Sequence, residues 1–143
     1  MRYFVITAAA ATLTTLVLVG EAGAVQDQPV TINGVEAVCT GVGSAKDNPA
    51  WKGYPVKVVL ATSGGADLAN AHISLSQGGK EVAGLDCDAP WVLFRAPAGR
   101  YTATATLIGG SGATHSTNFS TNGGAQKEIT ITFARPAQAP AAQ

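Results

Sequence analysis

From residue 101 to 107 the chain alternates strictly, with Tyr101, Ala103, Ala105 and Leu107 on one side and Thr102, Thr104 and Thr106 on the other. A period of two sends successive side chains to opposite faces of a pleated ribbon, so the segment predicts a strand with one buried face and one wet face. The same pattern recurs in Val56, Val58 and Leu60, and in Ile129, Ile131 and Phe133. Threonine, branched at Cβ, suits an exposed strand face better than a helix. No segment carries an unbroken 3.6-residue apolar period through three turns, so no helix is expected in the core.

Turn residues punctuate the chain at short intervals: Gly64-Gly65, Gly78-Gly79, Pro97-Ala98-Gly99, Gly109 to Gly112 and Gly123-Gly124. The run from Ile73 to Val82 predicts a tight hairpin, because its two central glycines accept the positive φ that a type I′ turn demands. Strands are expected near 29–39, 55–61, 70–77, 80–86, 91–95, 100–108, 114–120 and 127–134. Several short strands spaced by such turns imply an all-β sandwich or barrel with antiparallel pairing. The segment from Gly41 to Tyr54 is the longest connection.

Composition narrows the function classes. Nine Lys+Arg balance nine Asp+Glu, so the chain lacks the basic excess that phosphate binding requires, and no nucleic-acid partner is expected. Charged residues make up 13% of the chain, about half the usual share, and its seventeen Gly, seven Pro and positive mean hydropathy argue against a coiled coil and a mostly disordered chain. Residues 1–24 read as a secretory signal: Arg2 precedes an apolar run from Phe4 to Val19, and Ala22-Gly23-Ala24 supplies small residues before Val25. The run is shorter than a bilayer span, and no span is expected after its removal. The domain is then expected over 25–133, followed by an Ala/Pro/Gln tail at 134–143 with too little bulk to order. Such a product would be periplasmic or extracellular.

Two cysteines, Cys39 and Cys87, lie in the exported part. An oxidising compartment favours their pairing, and the chain-entropy argument gives a bridge across that stretch about 4 kcal/mol of stabilisation. Without a CxxC pair, neither a metal ligand set nor a redox motif is indicated.

The stretch from Ala66 to Phe133, above all Ala89-Pro-Trp-Val-Leu-Phe-Arg-Ala-Pro-Ala-Gly-Arg-Tyr101 followed by its Thr-rich strand, resembles the carboxypeptidase regulatory-like domains. In those an apolar strand enters a Leu-Pro-x-Gly-x-Tyr corner; here Ala96 stands at the Leu position. Cys39 to Gly43 and Trp51 to Tyr54 further resemble small exported bacterial proteins that carry this domain alone. The resemblance implies a transthyretin-like, Greek-key β-sandwich of about seven to eight antiparallel strands and is nearly silent on activity. Independently of it, Pro97 presets φ, Gly99 permits the reversal, and Tyr101 is placed to bury its ring and bond back to the main chain.

Motifs for chemistry are missing. Gly109 to Ala113 ends in Ala where a nucleophile elbow needs Gly, Gly41-Val-Gly43 lacks the third glycine of a dinucleotide fingerprint, and His72 and His115 are not brought together with a nucleophile by any spacing. Asp86 and Asp88 flank Cys87 and, with Asp67, raise a calcium site; the plainer account is a solvated strand end. No enzymatic activity, cofactor or metal is therefore expected. Trp51 and Tyr54 lie in a polar loop that alternation does not oblige to be apolar. Their rings, with Trp91, are candidates to stack on a sugar or a partner, while Trp51 equally fits a cap over the open end of the core. The preferred expectation is a non-enzymatic accessory or protein-interaction module of the bacterial envelope; the alternative is a carbohydrate- or small-ligand-binding module using Trp51, Tyr54 and Trp91, and a hydrolase is the remote third.

Overall fold

The computed structural model describes residues 24–109 and 112–134. The expected signal at 1–24 and tail at 134–143 lie outside these residues apart from Ala24 and Ala134. Nine strands follow one another among the described residues: β1 (Val30–Ile32), β2 (Val35–Thr40), β3 (Val56–Thr62), β4 (Ala71–Gln77), β5 (Lys80–Cys87), β6 (Trp91–Arg95), β7 (Gly99–Leu107), β8 (Thr114–Thr121) and β9 (Lys127–Phe133). They form a five-stranded sheet in the order β1-β2-β6-β3-β9 and a four-stranded sheet in the order β5-β4-β7-β8. The chain is an all-β sandwich.

The alternation places the core where the sequence expects it. Val56, Val58 and Leu60 of β3 and Ile129, Ile131 and Phe133 of β9 face Ile73 and Leu75 of β4 and Tyr101, Ala103 and Ala105 of β7 in one buried cluster. Cys39 of β2 and Cys87 of β5 are bonded across the two layers, with Cα atoms 5.5 Å apart. The β4–β5 hairpin turns on Gly78 and Gly79 at φ 59° and 80°, the positive values a tight primed turn requires. At the corner before β7 the Tyr101 hydroxyl donates to the Pro97 carbonyl at 2.8 Å, and the ring stacks on Phe119 at 5.8 Å.

Two expectations are corrected. Among the described residues there are nine strands rather than seven to eight, because the segment expected at 29–39 is broken by Asn33 and Gly34 at φ 50° and 81°, a two-residue turn of the Asn-Gly kind. The pairing is not wholly antiparallel: β3 and β9 run parallel from Val56↔Lys127 to Thr62↔Phe133. Alternation has the same period in both pairings, so it carries no information on strand direction.

The connection from Gly41 to Tyr54 forms two short 3-10 helices, Gly43–Asp47 and Pro49–Gly53. Asn48 separates them, its side-chain oxygen accepting from Ala50 N at 3.0 Å and Pro49 taking the first helical position, where its missing N–H is not needed. The loop lies over the outer face of the five-stranded sheet.

Candidate functional site

On the outer face of the five-stranded sheet, β2 presents Glu36 and Val38, and β6 presents Trp91, Leu93 and Arg95. Val38 and Leu93 are fully buried although they point away from the main core. Trp51 and Tyr54 cover them and complete a second apolar cluster. Trp51 is 7% exposed and Tyr54 2%, so neither ring offers an open face for stacking. The cap reading of Trp51 also needs relocation, since the ring covers the outside of a sheet rather than the open end of the sandwich. Its indole N–H donates to the Ala45 carbonyl at 2.8 Å, tying the two short helices together, and Gln126 donates to the Trp51 carbonyl at 2.8 Å.

Trp91 is half-buried between two neighbours. A Cβ at Gly41, whose φ is 105°, would lie 2.7 Å from Trp91 Cγ, so the bare glycine backbone packs directly against the indole. The Lys57 ammonium sits over the ring at 3.5 Å from its centroid, and that of Lys46 lies 5.7 Å away, both within cation–π range. Trp91 is thus a seat for lysine more than a bare platform. Beside it opens a cleft of about 230 Å³ lined by Lys46, Lys52, Lys57, Trp91, Asn48 and Gln126, among others. Lys46 is bonded to Asp67 at 2.7 Å and Lys57 lies 3.6 Å from Glu128.

At the other end of the covered face, the Tyr54 hydroxyl donates to Glu36 at 2.8 Å and Arg95 donates to the same carboxylate at 3.0 Å. The Arg95 guanidinium stacks 4.5 Å above the Tyr54 ring and donates to the Gly53 carbonyl at 3.0 Å. Burial, reinforced by the Glu36 carboxylate, pushes the Tyr54 phenol up to about 12. The hydrogen bonds from Tyr54 and Arg95 hold Glu36 below the ordinary carboxylate value. The three side chains clamp the end of the loop onto the sheet.

On the four-stranded sheet, His72 points outward while His115, opposite the inward Ala105, faces the core side and meets Phe133 edge-on at 4.7 Å. The two imidazoles are on opposite faces and share no cavity. His72 Nδ1 lies 2.7 Å from Asp86 and Nε2 3.3 Å from Glu81. Burial works against protonation of His72, but the bonds to the two carboxylates outweigh it and raise its pKa. Asp86 is thereby engaged with His72 and Asp67 with Lys46, so the candidate calcium ligands do not converge. Among the described residues no group of three or more His, Cys, Asp or Glu is arranged to hold a metal, and no helix is long and apolar enough to cross a membrane.

The sequence reading missed Lys46, Lys52, Lys57 and Gln126 as neighbours of Trp91. Alternation does place Lys57 outward on β3, but its proximity to Trp91 follows from the β3–β6 pairing, which periodicity does not reveal. The burial of Val38 and Leu93 did leave a trace. Ala37 to Cys39 and Trp91 to Phe94 are continuous apolar runs, the signature of strands covered on both faces.

No family model and no curated protein matches this chain, so nothing beyond the residues themselves speaks for the carboxypeptidase regulatory-like resemblance. Among solved structures the chain is similar to the 5-hydroxyisourate hydrolase of Klebsiella pneumoniae, with 18% identity over 55% of this chain and 83% of that one, at a TM-score of 0.43. That finding corrects the expectation that the chain is not an enzyme. At this distance the likeness carries no activity over to this chain, and the sandwich is established by its own two sheets.

Proposed function

We propose that the chain is an exported β-sandwich, with residues 1–24 as its signal and 25–133 as its domain, that serves as an accessory, protein-interaction module of the bacterial envelope. The Cys39–Cys87 bridge supports export, because structural disulfides persist in oxidising compartments. The interaction reading is carried by one observation, the outer face of the four-stranded sheet. There Thr102, Thr104 and Thr106 are hydrogen-bonded to Asn118, Ser116 and Thr114 at 2.7, 2.8 and 2.9 Å. A row of polar side chains held in place before a partner arrives lowers the ordering cost of association. Non-obligate interfaces are about as polar as the rest of a protein surface, so this face is suited to one.

The test places a photoreactive amino acid at Thr104 or Ser116 in living cells, with Glu128, outward on the other sheet, as control. A discrete cross-linked protein from the first two positions and none from the third is expected. No adduct from Thr104 and Ser116, or equal labelling from all three positions, refutes the reading.

A second reading, a ligand-binding module, is favoured by the cleft beside Trp91, where three lysines meet an indole and two side-chain amides. It places the functional surface on the opposite side of the sandwich.

A further inference from the structure

We infer that the cleft beside Trp91 binds a carboxylate-bearing saccharide, its acid group held by Lys52 and Lys57 and its hydroxyls by Asn48 and Gln126, an inference that rests on the ligand-binding reading above. Charge distribution is the first argument. The chain carries nine Lys+Arg against nine Asp+Glu, yet Lys46, Lys52 and Lys57 line this one cleft with Asp47 as the sole lining carboxylate. Three ammonium groups converge on one concave place, where water screens charge less than on an open surface, and two of the three carboxylates that balance them, Asp67 and Glu128, are outside its lining.

The counter-ions of these lysines stand outside the cleft and hold them loosely. Asp67 and Glu128 are 49% and 57% exposed in their side chains; the Lys46–Asp67 pair, exposed on both sides, is of a kind that is weak. Each ammonium has three donors. Lys46 uses one on Asp67, and Lys57, 3.6 Å from Glu128, is beyond good hydrogen-bond distance. The Lys57 side chain is only 16% exposed and its ammonium is seated on the Trp91 face. It is therefore positioned in advance with donors to offer, which suits an oxyanion.

The remaining lining groups match hydroxyls. Asn48 engages its oxygen with Ala50 N and Gln126 engages its amide nitrogen with the Trp51 carbonyl, which leaves an N–H donor on the first and a carbonyl acceptor on the second. Both are fixed by those bonds. A donor and an acceptor flanking cationic groups fit a sugar acid better than a bare anion. The volume of about 230 Å³ lies below the roughly 300–1,000 Å³ of pockets that enclose drug-sized ligands. It suits one ring at the end of a glycan.

The experiment titrates the folded, disulfide-bonded protein with trigalacturonic acid, neutral cellotriose and inorganic phosphate, following the Trp91 indole and Gln126 side-chain amide resonances. Trigalacturonic acid is expected to shift both signals with an affinity that falls as salt is raised. Lys52→Gln, an exposed position that the fold does not need, should weaken it about tenfold, the loss of one charged hydrogen bond. Lys57→Gln, with its melting temperature measured alongside, should weaken it further. Cellotriose binding as tightly at these resonances overturns the acidic class and leaves the ligand-binding reading standing. Phosphate binding as tightly overturns the saccharide. Unchanged affinity in Lys52→Gln overturns the assigned contact, and no shift with any of the three ligands overturns both the inference and the reading beneath it.

Discussion

A single phenol shows how closely the outer face is tuned. Tyr54 is 2% exposed, and its hydroxyl donates to Glu36 at 2.8 Å, beneath the Arg95 guanidinium. Replacing Tyr54 with Phe keeps the ring over Val38 and Leu93 but removes that bond, and the expected loss at neutral pH is about 1 kcal/mol in urea unfolding. The pH dependence reports on the hydroxyl itself, whose ionisation is opposed first by burial and then by the Glu36 carboxylate. The folded-state phenol titrates near 12 against an ordinary value of 10.0. The neutral hydroxyl is therefore favoured by folding, and its contribution is complete below about pH 10 and lost as pH rises towards 12. Wild type should lose stability across that interval more steeply than Tyr54→Phe. Parallel curves would show that burial and the Glu36 bond do not hold the phenol neutral in the folded protein.

Among the elements, the loop of two 3-10 helices departs furthest from what periodicity can announce. Strand positions were legible because burial on one face imposes alternation, as in β7 where Tyr101, Ala103 and Ala105 are buried. The loop has no such repeat. It is held by local chemistry: the Asn48 cap, the Trp51 indole on Ala45, and the pair Trp51 and Tyr54 at 6.1 Å between ring centroids. The continuous apolar runs of β2 and β6 and the bulk of Trp51 are the sequence features that point to a segment folding back there. The lysines at Trp91 were invisible for a different reason, since they depend on which strands become neighbours. Trp51→Ala tests the element as a whole. Removing a buried indole costs about 3–5 kcal/mol and uncovers Val38 and Leu93, so the expected result is a lower melting temperature and new protease cleavage between Gly41 and Tyr54. Full resistance of that segment would mean that the ring is not what fastens it.

At the scale of the whole molecule the two sheets share one core, and a covalent bridge reinforces their union. Cys39 belongs to the five-stranded sheet and Cys87 to the four-stranded one, 48 residues apart in sequence. The chain between them contributes β3 to the first sheet and β4 to the second, so the closed loop contains strands of both layers. Bridging it removes about 4 kcal/mol of conformational freedom from the unfolded chain. For a domain near 100 residues that corresponds to a shift of roughly 20 °C in melting temperature. Cys87→Ser, and wild type unfolded in the presence of reductant, should both melt lower by that order. Because the buried cluster draws on strands of both sheets, backbone and aromatic circular dichroism should move together rather than one layer melting ahead of the other. Agreement between the serine variant and the reduced wild type separates the lost bridge from the lost packing of one sulfur. Two titratable thiols in the native oxidised protein, or an unchanged melting temperature on reduction, would show that the layers are held by apolar contact alone.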